Sequence, residues 1–352
     1  MRIKDIAIFN PKGNKPEEYI NYIDTSSVED GKLHEVQTLS REIPSRAQRL
    51  IALNDILISS VRPNLRHNYF VNKEIPHGIA STGFIQIRVI SSNVNPQFLY
   101  YFLTSEQNVL HYQTIAETSQ STFPSFNKDV IEGLDFPNFT LDDQQHIVDI
   151  LGSIDEKIEN NEKIISNVLK LYRLKFRNLA MKYEQKTILS YIASVESGKR
   201  PLHKSAALDG SFNIPIIGAS SIMGYTNDYL FNEPILVIGR VGTLGVVQSI
   251  FGKSYPSDNA LIILSKYYTF CYCALNELDY NSLNKGSTQP LITQTDIKNI
   301  QIPLIPQSEM QQFEMHNKID IIVALKEENN MLRELKALYL KKFFELPSNK
   351  QI

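Results

Sequence analysis

The chain has 352 residues, 42% hydrophobic and 21% charged, which is the composition of a soluble globular protein and a length that points to two domains. No apolar run approaches the roughly 18 residues of a membrane span, the opening MRIKDIAIFNPKGN has no secretory apolar core, and Cys271 and Cys273 are too few for a disulfide framework or a structural zinc site. A formal charge of −2 argues against a module that grips nucleic acid unaided, while permitting local basic patches and a partner that supplies phosphate contacts.

Taken in chain order, residues 1–139 hold strand-like patches: YIDTSSVEDG (22–31), NDILISSVR (54–62) and IASTGFIQIRVI (79–90), followed by STFPSFNKDV (121–130). A long helix is predicted over 140–183. Thr140 suits its N-cap, with Asp142 and Asp143 in the first turn. Acids gather early (Asp149, Asp155, Glu156) and bases late (Arg173, Lys175, Arg177, Lys182), the order that a helix dipole favours. Ile147, Leu151, Ile154, Ile158, Asn161, Ile165, Val168 and Tyr172 follow at alternating steps of four and three, an a/d heptad seam of a coiled coil.

Residues 184–306 again hold strand-like patches: IIGASSIMG (216–224), EPILVIGRV (233–241) and YPSDNALIILS (255–265). They answer those of the first region in the same order. A second helix is predicted over 307–347, capped by Ser308 with Glu309 and stopped by Pro347. Its seam is expected at Ile321, Leu325, Glu328, Leu332, Leu335 and Tyr339, each 167 positions beyond a seam residue of the first helix. LYRLKFRNL (171–179) returns as LYLKKFFEL (338–346), and the polar break at Asn161 returns as Glu328. A polar residue in an apolar seam fixes register and pairing. Each helix of about 35–40 residues would be about 55 Å long. The expected fold is therefore α+β: a mixed domain and a long helix, each present twice.

Catalytic signatures are missing from the sequence. GRVGTLG (239–245) has neither the ending of a P-loop nor a dinucleotide spacing and reads as strand, turn and strand. His67, His77, His111, His146, His203 and His316 lack metal-ligand spacing. Asp155–Lys157 reads as a solvated helix flank rather than a nuclease site. No Asn-Pro-Pro-aromatic tetrapeptide of an amino-methyltransferase occurs. What remains are clusters suited to base edges and phosphates: Arg62, Asn64, Arg66 and His67; Lys199, Arg200, His203 and Lys204; Arg240 and Thr243; Lys285, Ser287 and Thr288, with Ser121 and Thr122 as their counterparts. Arginine pairs bidentately with guanine and asparagine with adenine, while hydroxyls beside glycine or proline bond phosphates or shape turns.

The ordered pair of helix starts, FPNFTLDDQQHIVDILGSIDEKIENNEKI and IPLIPQSEMQQFEMHNKIDIIVALKEEN, together with the closing LYRLKF and LYLKKF, resembles the specificity subunit of type I restriction–modification systems. The likeness covers essentially the whole chain. The second helix start departs from the family flavour at Ser308, Glu309, Met310 and Phe313. The resemblance implies two target recognition domains, each reading half of a split, asymmetric DNA site, joined by two antiparallel conserved spacer helices with pseudo-two-fold symmetry. It implies no catalytic centre, no cofactor or metal on this chain, a cytoplasmic location, and two modification subunits as partners, which hold S-adenosylmethionine and methylate adenine. Two restriction subunits are optional. Two other readings stay open at this stage: a two-headed coiled-coil adaptor for partners other than DNA, and an enzyme whose site assembles from loops.

Overall fold

Short runs rich in β-branched residues between turn-forming segments build the sheets, and two long amphipathic runs build the helices. The computed structural model describes residues 1–13, 18–118, 124–205, 211–241, 245–283 and 291–344. It divides into two units, Met1–Ile158 with Asn330–Ile352, and Glu159–Asn329.

In the first unit the strand Ile56–Ser59 is buried throughout and lies inside a four-stranded antiparallel sheet. Its order is 7–9, 84–89, 56–59, 68–70. A second sheet has the order 37–39, 20–23, 78–81, 47–50, with 20–23 and 78–81 parallel. Helix α1 (Pro96–Leu103) starts at Asn95, whose Oδ1 accepts the N–H groups of Gln97 at 2.9 Å and Phe98 at 3.2 Å. Helices α2 (Glu106–Glu117) and α3 (Lys128–Glu132) follow, and then α4 (Leu141–Ala180). Ile147, Val148 and Leu151 of α4 enter the core made by Ile56, Ile58, Ile85, Ile87, Phe98 and Leu99. Phe98 meets Phe136, Phe139 and Phe344 edge-on at 5.8, 5.5 and 5.5 Å, so residues far apart in sequence close this core.

The second unit repeats the plan. Its four-stranded sheet runs 194–197, 260–264, 235–239, 247–250, and a smaller sheet pairs 214–217 in parallel with 255–256. Helices α5 (Tyr268–Asn276), α6 (Tyr280–Leu283) and α7 (Gln294–Lys298) lead to α8 (Gln307–His316) and α9 (Asp320–Phe344). Tyr172 and Phe176 of α4 pack into a core with Leu236, Ile238, Leu261, Ile263, Phe270 and Phe313. Cys271 and Cys273 lie in α5 and are fully buried free thiols; burial pushes the Cys271 thiol up to about 12.

The faint repeat between the domains is explicit in their main-chain hydrogen bonds. Ser60 N–H donates to Gly83 O (2.9 Å) and its carbonyl accepts from Phe126 N–H (3.0 Å); Arg240 does the same with Asn259 (2.9 Å) and Ile292 (2.9 Å). Leu236 opposes Ile263 as Ile56 opposes Ile87, so this strand matches one residue on from the sequence alignment, which set Ile56 against Ile235. Because side chains alternate along a strand, that single step decides which ones face the core.

The helices are less alike than their sequences. Thr140 caps α4 as expected, exchanging Thr140 N–H to Asp143 Oδ2 (3.1 Å) and Asp143 N–H to Thr140 Oγ1 (3.2 Å). The second helix is capped by Pro306 rather than Ser308, and it is not continuous: Asn317, Lys318 and Ile319 separate α8 from α9. The break is stable because its polar groups are satisfied within the unit. Thr269 Oγ1 donates to Asn317 O (3.0 Å), Tyr172 Oη donates to Lys318 O (2.9 Å), and Lys175 Nζ donates to Asn317 Oδ1 (3.0 Å).

Two further expectations are corrected. In α9 the buried positions are Ile322 and Asn329, whereas the predicted seam residues Ile321 and Leu335 are exposed; the break at 317–319 interrupts the continuous spacing from which Ile321 was expected inward. Leu325, Leu332 and Tyr339 are half-buried. Along α4, Ile154, Ile158, Asn161 and Tyr172 are buried, and Ile165 and Val168 are half-buried. Asp155 is no solvated flank either: it accepts Tyr101 Oη (2.8 Å) and Lys336 Nζ (2.6 and 2.8 Å), tying α4 to α1 and α9 inside the first unit. Pro347 lies outside the described residues. No helix among the described residues is long and apolar enough to cross a membrane.

Candidate nucleic-acid interface

The pairing of the large sheet fixes where its loops gather. In the first unit Ser59 opposes Phe84 and Phe9 opposes Ile87, so the loops after Phe9 and Ser59 and the turn before Phe84 share one rim. Arg62 N–H donates to Pro124 O (2.9 Å), which draws the described end of the Ser-Thr-x-Pro segment to the same rim. In the second unit Ser197 opposes Leu261 and Gly239 opposes Ala260. The loops after 197 and 239 and the turn 257–259 therefore meet likewise, joined by Val241 bridged to Leu291.

On the first rim, Arg62 and Asn64 are exposed around the 3-10 turn Pro63–Leu65. Arg62 (φ 49) and Arg66 (φ 51) flank that turn in the left-handed region, a conformation that the surrounding hydrogen bonds impose. Asn64 is held through its N–H by Gln113 Oε1 (3.2 Å), leaving its side chain outward. Arg66 is turned inward: its guanidinium bonds Thr104 O (3.3 Å) and pairs with Glu106 at the start of α2. It braces the loop. His67 is half-buried and lines a small cavity with Asn68 and Tyr112.

On the second rim, Gly198 is the residue that the close approach requires, since a Cβ there would lie 2.1 Å from Ser257 O. Lys199 N–H donates to Pro256 O (3.0 Å) and Arg200 O accepts from Tyr255 Oη (3.4 Å). With its backbone fastened, the loop leaves Lys199, Arg200, His203 and Lys204 exposed; Arg240 is exposed where its strand ends. Thr243, Lys285, Ser287, Thr288, Ser121 and Thr122 lie outside the described residues. Gly245 (φ 83) lies just before strand Val247–Ile250, which pairs antiparallel with Ile235–Gly239; positions 242–244 of GRVGTLG lie outside the described residues.

Sequence reading missed Lys12 and Arg46. Lys12 is exposed just after Asn10, whose N–H donates to Gln86 O (2.7 Å). Its signal was available: NPKG leaves the first strand as ESGKR leaves the corresponding strand of the second unit. Arg46 gave no motif, because its place depends on a long-range bond to Thr82. Sequence reading also missed buried Asp55, which accepts Arg88 Nε and Nη2, Gln86 Nε2 and Ala52 N–H, each at 2.7 Å. That charge is neutralised inside the first unit and is no part of the rim. No group of His, Cys, Asp and Glu among the described residues could hold a metal ion.

A sheet plan made twice, with exposed basic side chains at the corresponding rim of each copy, defines a protein built of two related but unlike domains. The chain belongs to the family of the type I restriction modification DNA specificity domain, which matches residues 1–170 and again residues 183–337. Among curated proteins it is 30% identical over 158 residues to the type I restriction enzyme HindI specificity subunit of Haemophilus influenzae, a match covering 45% of this chain and 34% of that relative. The aligned stretch thus spans about a third of the relative's length. The S subunit of a type I restriction–modification system from M. genitalium shares the fold, with a TM-score of 0.55, 16% identity, and 99% and 96% of the two chains covered.

Proposed function

We propose that the chain is the non-catalytic specificity subunit of a type I restriction–modification complex. Its first 139 residues and residues 184–306 are the two target recognition domains, and the helices between and after them are the conserved spacers. Each domain reads one half of a bipartite DNA site through its rim loops. The half-sites differ because the rims do: Arg62 and Asn64 on one, Lys199, Arg200, His203, Lys204 and Arg240 on the other. The observation that carries this reading is the equivalent rim, fixed by equivalent hydrogen bonds, bearing different exposed side chains in the two units.

Methylation, and the S-adenosylmethionine it uses, would reside on partner modification subunits, with cleavage where restriction subunits join. The helices support two copies of one partner. Ile164 and Leu171 of α4 are exposed apolar residues, and so are Met331 and Leu338 of α9, at the same 167-residue displacement. A repeated apolar surface fits a repeated partner. Such partners also supply phosphate contacts that a chain of net charge −2 lacks.

The test exchanges residues 1–135 for the equivalent domain of a relative and measures binding with the modification subunit present. One half-site should change and the other persist. Equal affinity of the parent complex for specific and scrambled duplexes would overturn the reading.

A further inference from the structure

Arg46 stands where the two units differ. Its carbonyl accepts Thr82 N–H (2.8 Å), which sets it at the rim beside Gly83, and its side chain is exposed. The guanidinium lies over Gly83: a Cβ added there would be 2.8 Å from Arg46 Nη2. It opens the edge strand Ala47–Leu50, one position beyond the pairing Ala47 with Ser81. Arg41 and Gln48, also exposed, flank it. In place of this edge strand the second unit has a single bridge, Phe231 to Ser254, and its segment NDYLF (227–231) carries no arginine, although Lys253 lies over the Tyr229 ring (5.0 Å). Among the described residues, this arginine edge therefore belongs to the first rim alone.

Resting on the specificity-subunit reading, we infer that Arg46 is a specificity-determining residue for the half-site read by the first unit, pairing with a guanine edge in the major groove. An arginine in the turn before an edge strand, held by its own backbone and exposed at its side chain, carries the planar fork that pairs bidentately with guanine O6 and N7. Gly83 keeps clear the space that the guanidinium occupies.

The experiment uses the full chain bound to its modification subunit and duplexes varied one base pair at a time across both half-sites. Arg46→Ala should reduce discrimination at one or two adjacent base pairs of one half-site by about tenfold, leaving the other half-site as in the parent. Arg46→Lys should keep affinity but lose that discrimination, since an ammonium cannot form the fork. Gly83→Ala, which displaces the guanidinium without removing its charge, should affect the same base pairs. Melting temperatures equal to the parent's would establish that the variants fold. An unchanged profile for Arg46→Ala overturns the inference. So does uniform weakening across all sequences, which would make Arg46 a phosphate contact, or a change in both half-sites. A parent complex without any sequence preference would instead overturn the specificity-subunit reading, and this inference with it.

Discussion

Asn161 donates through Nδ2 to Glu328 Oε2 at 2.7 Å and to Asn329 Oδ1 at 2.8 Å, across the pair formed by α4 and the start of α9. The two polar breaks that the repeat places 167 residues apart are thus bonded to each other inside the second unit. In an antiparallel pair of related helices, a residue meets its own counterpart where the local symmetry axis passes. Tyr172 bonded to Lys318 O runs the same pair antiparallel farther along.

Asn161→Ala removes the donor and leaves Asn329 buried without its partner. The second unit should lose about 1–3 kcal/mol, read as an earlier transition in chemical denaturation followed by a probe in that unit. Replacing Asn161 and Asn329 together by leucine should recover stability while loosening the register of the helix pair. A single variant as stable as the parent would show that the contact has no role in holding the helices.

In the first unit the corresponding liability is the ion pair of Asp55 and Arg88. Asp55 is fully buried, while Arg88 keeps 37% of its side chain exposed. Removing the arginine leaves a buried carboxylate with only Gln86 and Ala52 as donors. Arg88→Ala should destabilise this unit by about 3 kcal/mol or more. Arg88→Met should do no better, because the missing charge and not the missing volume is at fault. Denaturation midpoints of the two variants decide the point.

Glu314 of α8 accepts Thr269 N–H (3.1 Å) and Phe270 N–H (2.7 Å), satisfying the first turn of α5 from a neighbouring helix. Burial holds its carboxyl above the ordinary value of 4.5 despite those bonds. An acid whose pKa is raised on folding binds its proton more tightly in the folded state. Its contribution is therefore full below the ordinary glutamate value and is lost as pH rises through the raised one. Glu314→Gln, which does not titrate, should improve relative to the parent as pH rises across that window. Melting curves from pH 4 to 8 (about this span covers ordinary and raised carboxyl values) would contradict this if the difference were constant or of opposite sign.

Much of this organisation was legible in the sequence, because helices repeat every few residues and record their buried face locally. The Thr140 cap, the length of α4, the succession of strand-forming segments along the chain and the Asn161 break all follow from local pattern. The break at Asn317 was not legible, since it depends on Thr269, Tyr172 and Lys175 arriving from elsewhere to satisfy it. Spacing alone therefore placed Ile321 on a face that Ile322 occupies. At the candidate interface, sequence located the loops but not the duty of each base. Arg62 and Arg66 look alike in SSVRPNLRH, yet Arg66 is bound to Glu106 while Arg62 is exposed. Arg46 reaches the rim only through the pairing of distant strands.

The spacer role yields a length-dependent prediction that separates it from an adaptor with flexible arms. Insertion of one heptad into α4 after Ile158, matched by one in α9 before Asn330, keeps the apolar face in phase because seven residues make about two turns. The Asn161, Glu328 and Asn329 cluster is retained within the second unit. Each insertion lengthens its helix by about 10 Å, about 3 base pairs at 3.4 Å per pair. If the helices set the distance between the two reading domains, the half-site sequences should persist while their separation increases by about 3 base pairs. Insertion of two residues in each helix, a rotation of about 200°, should instead turn the apolar face out of phase and reduce stability. Mapping methylated sites for the parent and the heptad variant reads both quantities, and an unchanged separation would overturn the spacer role.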